Sequence, residues 1–223
     1  LVCGAPGAGK STFCAALANY YLKKNKVVKT LESVRDLQVE PEITQYTKLE
    51  GSLENSADIL LLVRPDFTIF DEVRTTSDFK IYSDFRLSGV GMVGVVHSTS
   101  AIDAIQRFIG RIELGTLPSI IDTIIFIKGG DISKVLIINM TVKVPHGFRD
   151  KDLARPVVEV RNHLNGQLEA EIYSFGQDVV LNPIRQPRGR KYQKYGGTSS
   201  KGYSGKKEKF DVDLNIKRDK VII

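Results

Sequence analysis

Gly4-Ala5-Pro6-Gly7-Ala8-Gly9-Lys10-Ser11 places glycines, a lysine and a hydroxyl at the spacing G-x-x-x-x-G-K-[ST]. Glycines let successive backbone N–H groups turn inward around a phosphate, and a helix N-terminus adds partial positive charge to the same concavity. In such a loop the lysine reaches the β- and γ-phosphates and the hydroxyl ligates Mg²⁺. Pro6, Gly7, Ala8, Gly9, Lys10, Ser11 and Thr12 are therefore the candidate binding residues for ATP. A second carboxylate-bearing strand end is needed, and Phe67-Thr68-Ile69-Phe70-Asp71-Glu72 supplies one. Asp71 is the candidate partner of Ser11 for Mg²⁺, held through water. Glu72 is the candidate base that polarises an attacking water, so hydrolysis rather than mere binding rests on it. Without the loop, the same two acids would read as a strand ending at the surface. His97 follows the apolar run Met92–Val96, at the carboxyl edge where a parallel sheet presents ligand contacts. A γ-phosphate contact and a purely structural role are both open to it.

The elements that must hold these residues can be read from periodicity. Leu1-Val2-Cys3 is a strand ending at Gly4, and Lys10–Lys23 is a helix whose apolar face is expected at Phe13, Ala16, Leu17 and Tyr20. Strands follow at Val27–Leu31, Phe67–Phe70 and Met92–Val96, separated by helices at Ser52–Val63 and Ser77–Phe85. Ser100 caps a further helix with Asp103 in its first turn, and Ile102, Ile105, Phe108, Ile109 and Ile112 carry it onward. Alternating strands and helices predict an α/β fold with a mainly parallel sheet covered on both faces. After Pro118 the pattern changes. Asp122–Ile127 and Lys134–Val144 flank the turn Lys128-Gly129-Gly130-Asp131, and Val157–Val160, Leu168–Phe175 and Val179–Leu181 follow at short intervals. This predicts an antiparallel β meander attached to the α/β core.

The chain has 223 residues and is 42% hydrophobic, enough to build a core and too much for a disordered chain. Its longest apolar runs, such as Ile59–Val63, are far shorter than a bilayer span. Cys3 and Cys14 exclude a disulfide scaffold and an all-cysteine zinc site, and His97, His146 and His163 lack ligand spacing. Buried free thiols in a reducing compartment, the cytoplasm, are expected. The first residue is not Met and stands at a strand edge, which reads as a fragment lacking its N-terminal part. Net charge is +6, but Arg185 to Ile223 carries 12 Lys or Arg against 4 Asp or Glu, leaving 20 against 22 elsewhere. The basic character belongs to the tail. The expected organisation is an ATP-binding core at 1–144, a β-rich extension at 145–184, a basic linker at 185–206, and the opening strands of a truncated C-terminal domain at 207–223.

The order of these motifs resembles the type II/IV secretion and pilus-motor ATPase superfamily, with a P-loop, an Asp box, a Walker B segment and a His box. The Asp box resembles Leu31-Glu32-Ser33-Val34-Arg35-Asp36, Walker B spans Arg64-Pro65-Asp66 to Glu72-Val73-Arg74, and the His box spans Gly89 to Ala104. A narrower resemblance, to the archaeal PIN-domain ATPase family, lies in Val142-Lys143-Val144-Pro145-His146-Gly147-Phe148, Asp152-Leu153-Ala154-Arg155-Pro156-Val157 and Val63-Arg64-Pro65-Asp66. The resemblance covers Leu1 to Ile184. It implies a RecA-like P-loop NTPase core, a PIN nuclease-like domain and a KH-type segment in family members, and a hexameric ring acting on branched DNA as helicase or branch migrator. It assigns Glu32 to Mg²⁺ or its waters. Arg64 and Arg74 match arginines that could serve a neighbour's γ-phosphate, with Arg86, Arg107 and Arg111 as further candidates. Two positions depart from the pilus-motor pattern: Ser33 follows Glu32 where a second acid is common, and Asp71 stands where Gly often precedes the Glu.

In the tail, Arg188, Arg190, Lys191, Tyr192, Lys194 and Tyr195 interleave cations with rings. Such a run can neutralise phosphates and stack on unpaired bases, and it also suits a solvated linker. Three functions remain open: a DNA-translocating or Holliday junction ATPase, a pilus, archaellum or secretion motor, and a nucleotide-gated RNA-binding module.

Overall fold

The computed structural model describes residues 1–147 and 154–184. These lie within the first of the two units into which the chain divides, Leu1–Gln186. The strands are β1 (Val2–Gly4), β2 (Val28–Glu32), β3 (Thr44–Tyr46), β4 (Phe67–Asp71), β5 (Gly91–His97), β6 (Thr123–Lys128), β7 (Asp131–Lys143), β8 (Arg155–Asn162), β9 (Leu168–Phe175) and β10 (Asp178–Pro183). They form one sheet in the order β10-β9-β8-β7-β6-β1-β5-β4-β2-β3. The half from β3 to β6 is parallel, and β6 to β10 are antiparallel. The sheet continues across residue 144, and the expected parallel core with an attached meander is what the chain adopts.

The parallel strands are apolar on both faces because both faces are covered. Val2, Ile69, Val95 and Ile125 point into one cluster with Cys14, Ala15 and Ala18 of helix α1 (Lys10–Lys23). Their neighbours Cys3, Phe70, Val96 and Ile124 point into the other cluster. That side holds α2 (Leu53–Val63), α3 (Thr76–Leu87), α4 (Ala101–Gln106) and α5 (Leu117–Ile120). The buried face of α1 is not the expected one. Ala16 is exposed, while Cys14, Ala15 and Ala18 are buried. Small side chains let the helix lie close on the sheet directly after the loop, and Tyr21 then stacks on Phe67 with ring centroids 3.8 Å apart.

Caps fix the helices beside the strand ends. Ser52 accepts from Glu54 N, Thr75 and Asp78 form a capping box, and Ser100 accepts from Asp103 N. The expected continuation of α4 to Ile112 does not occur. Gly110 takes φ 80°, which no right-handed helix accommodates. Phe108 is instead buried through a turn, edge-on to Phe79 at 4.7 Å. β3 and α5 are too short to show a period in the sequence. The basic run 188–195 and the strands expected at 207–223 lie outside the described residues.

Candidate active site

β1 delivers the loop at Gly4, packed so closely against β6 that an added Cβ would fall 2.4 Å from Ile127 O. The loop closes on itself through Ala8 N to Ala5 O at 3.2 Å. Gly9, at φ 93°, turns the chain into α1; a side chain there would be strained. Two other elements hold the loop: Ser98 N donates to Gly4 O at 3.2 Å, and Gly130 N, at the tip of the β6–β7 hairpin, donates to Ala8 O at 3.1 Å. Lys10 is buried and folds back so that Nζ donates to Ala5 O at 2.8 Å. Burial pulls its ammonium below the ordinary value, opposed by Asp71.

Gly7, Gly9, Lys10, Ser11, Thr12, Asp36, Asp71, Glu72, Val95 and His97 line one cavity of about 390 Å³. Pro6 and Ala8 line a second pocket with Gly7, Thr99 and Lys128, and the Ala8 side chain is buried against the core. Asp71 ends β4 inside the cavity. Its carboxyl is raised to about 6, first by burial and then by Asp36, Glu32 and Glu72, with Lys10 pulling the other way. Crowded acids facing a lysine and a hydroxyl are a donor set that fits a hard divalent cation.

Glu72 follows Asp71 with φ 71°, a left-handed conformation that costs a residue with a Cβ about 1–2 kcal/mol. Val73 N then donates to Val95 O at 2.8 Å, pulling Val73 into the core and leaving the Glu72 side chain over the cavity. Glu72 Oε1 meets His97 Nε2 at 3.1 Å and also pairs with the Arg74 guanidinium. His97 Nδ1 is buried without a hydrogen-bond partner. His97 and Arg74 thus meet on one carboxylate oxygen of Glu72.

Glu32 has a different setting from the one its resemblance assigns. It is fully buried at the end of β2. Oε1 accepts from Thr30 Oγ1 at 2.5 Å and Gln45 Nε2 at 3.0 Å, and Oε2 accepts from Asp36 N at 2.9 Å and Leu37 N at 3.0 Å. With its acceptor positions filled by protein donors, Glu32 anchors the following loop. The Asp-box acid that lines the cavity is Asp36, four residues on. It lies in the quoted segment, but nothing in its spacing singled it out.

The arginines separate into groups. Arg64 is exposed at the left-handed C-cap of α2, at the opposite end of β4 from Asp71, outside the cavity. Arg74 is drawn to Glu72 of its own chain. Arg86 pairs with Asp122 and donates to Ile120 O, and Arg111 donates to Arg107 O and lies over the Phe79 ring. Arg107 is likewise engaged within its own chain. The thiols match expectation: Cys3 and Cys14 are buried and free, and burial pushes Cys14 up to about 12.

No family model matches the chain. It is 58% identical over 200 residues to an uncharacterized KH and PIN-domain containing protein of Methanocaldococcus jannaschii, covering 90% of this chain and 31% of that protein. It is 53% identical over 185 residues to the Holliday junction branch migration ATPase PINA of Sulfolobus acidocaldarius, covering 83% of this chain and 36% of that one. The chain thus spans about a third of the length of these curated relatives. Among solved structures, the VirB11 ATPase of the Brucella suis type IV secretion system, in complex with sulphate, superposes with a TM-score of 0.50. It is 18% identical, over 60% of this chain and 46% of that one, a likeness of fold. Among the described residues no helix is long and apolar enough to cross a membrane. The chain thus shares the fold of that secretion ATPase, and in sequence it is similar to an archaeal KH and PIN-domain protein and to an archaeal Holliday junction branch migration ATPase.

Proposed function

We propose that this chain is the ATP-hydrolysing core of a motor that works as a ring of copies on branched DNA, migrating Holliday junctions. The observation that carries the reading is its 53% identity, over 185 residues, to a protein named as a Holliday junction branch migration ATPase. The cavity supplies the chemistry. Loop amides and the α1 N-terminus cradle the phosphates, and Lys10 leaves the Ala5 carbonyl for the β- and γ-oxygens. Ser11 and Asp71 would hold Mg²⁺, with Asp36 close by. When bound, the ion offsets charge on the phosphate oxygens. Glu72 accepts a proton from the attacking water, and His97 fixes the carboxylate that does so. Arg64, remote from its own cavity, serves a neighbouring copy. Arg74 exchanges its own Glu72 for a neighbour's γ-phosphate when the ring closes. Arg188, Arg190, Lys191, Tyr192, Lys194 and Tyr195 are the proposed DNA contacts, and the cytoplasm is the proposed compartment.

The test is steady-state ATP hydrolysis with and without a four-way DNA junction, at low and moderate salt. A junction-dependent rise that fades with salt is expected. A rate indifferent to DNA at both salts would overturn the DNA-motor reading and leave a secretion or pilus motor. Binding of nucleotide without any turnover would overturn the enzyme.

A further inference from the structure

We propose that Arg107 is a positioning residue for this chemistry: one guanidinium ties the segment carrying Glu72 to the strand end carrying His97. The inference rests on the ATPase reading above. Arg107 Nη1 donates to the His97 carbonyl at 3.0 Å, and Nη2 donates to the Arg74 carbonyl at 3.5 Å. Those carbonyls belong to the last residue of β5 and to the segment that follows β4. The 3.1 Å contact between Glu72 and His97 spans the same two ends.

The route by which the guanidinium arrives is short. Arg107 is the C-cap of α4, and the N-cap of α4 is Ser100, just beyond His97. The helix therefore folds back and returns a cation to the strand end it left. A ring seats it: the guanidinium lies over Phe79 at 5.9 Å, Phe79 is buried edge-on to Phe108, and Arg111 lies over the same ring at 5.0 Å. Arg111 also donates to Arg107 O at 2.7 Å, closing the turn behind it. A planar fork can serve two carbonyls at once, whereas an ammonium is a single point charge.

The fold does not depend on this bridge. Val73 N remains bonded to Val95 O, and Asp78 still receives Arg74 N and Thr75 N at 2.9 and 2.7 Å. What the bridge controls is the distance between two loop ends. Glu72 sits between them at φ 71°, so releasing the neighbouring Arg74 carbonyl gives a strained residue room to relax.

Arg107→Ala and Arg107→Lys in the full chain test the proposal through turnover, nucleotide affinity, melting and ¹⁵N-histidine spectra of the nucleotide-free protein. Arg107→Ala should lower kcat roughly 100-fold, as small misplacements of catalytic groups do. Nucleotide affinity should be unchanged, and Arg107→Lys should recover part of the loss. Added to His97→Ala, it should cost almost nothing further, because the two act through one contact. The His97 nitrogens should shift while those of His146 and His163 stay in place. The spectra need no turnover, so a protein that hydrolyses no ATP refutes the ATPase reading while His97 still judges Arg107. Unmoved His97 nitrogens, an affinity loss that matches the kcat loss, or full additivity with His97→Ala each overturn the proposal.

Discussion

Asp71→Asn should make the nucleotide-free protein more stable while removing its Mg²⁺-dependent nucleotide binding. The Asp71 carboxyl is raised from 3.8 to about 6 by burial and by Asp36, Glu32 and Glu72. At about 1.36 kcal/mol per pH unit, ionising it at neutral pH costs the fold about 3 kcal/mol. The carboxylate is partly open to water, so screening reduces this to about 1–2 kcal/mol. A domain of this size gains about 2–4 °C per kcal/mol, so Asp71→Asn should melt roughly 2–8 °C higher at pH 8 in EDTA. The sign follows from a folded value above the unfolded one. The folded state binds the extra proton, so the cost is absent below about pH 4, grows as pH rises, and is complete above about pH 6. The melting difference between variant and parent should shrink across that window and vanish at its acid end. Mg²⁺ with nucleotide should reverse the order, stabilising the parent and not Asp71→Asn. Equal melting at pH 8, or a difference independent of pH, would refute the crowded-acid account of this site.

Lys10→Ala should abolish nucleotide binding, read by titration with a fluorescent ATP analogue. Glu72→Gln should keep that binding and lose turnover by about 10²–10⁴-fold, the range for a lost general base; unchanged turnover would remove Glu72 from that role. Glu32→Ala should destabilise the fold by about 3 kcal/mol, since it strands the Leu37 amide and the Thr30 hydroxyl. Asp36→Asn should melt slightly above the parent in EDTA, because it removes a charge that disfavours ionised Asp71, yet need more Mg²⁺ for half-maximal turnover. Urea titration of the pair checks the contrast. Gly4→Ala should fail to accumulate folded protein, because its Cβ would meet Ile127 O at 2.4 Å; a normal melt would refute that close approach.

Much of this architecture was legible because its signals are local. The phosphate loop, Ser52 and Ser100 as caps, and the apolar runs of β4 and β5 each declare themselves within a few residues. So does the Gly-Gly turn that starts the meander. The misreadings have one physical origin, that a sequence period does not say what lies opposite. Phe13, Ala16, Leu17 and Tyr20 make a good helical stripe, but the residues of α1 buried against the sheet are the small Cys14, Ala15 and Ala18, with Phe13 only partly buried and Ala16 exposed. Glu32 and Asp36 are both carboxylates within one short segment. Which one faces the cavity depends on Gln45 and two backbone amides that claim Glu32 first. The pairing of Glu72 with His97 joins residues from different strands and needs the sheet order before it can be seen.

That sheet order also sets when the site can exist. β1 lies between β5 and β6, with Val2 opposite both Val95 and Ile125, and Gly130 closes the loop from the far side. β1 is made before β5 and β6 and waits for them until most of the α/β half has left the ribosome. Until then its edges are open and the loop behind it has no wall. Nucleotide, which recognises only the finished loop, therefore cannot rescue early intermediates and stabilises the chain by mass action only after β6 and its hairpin have docked.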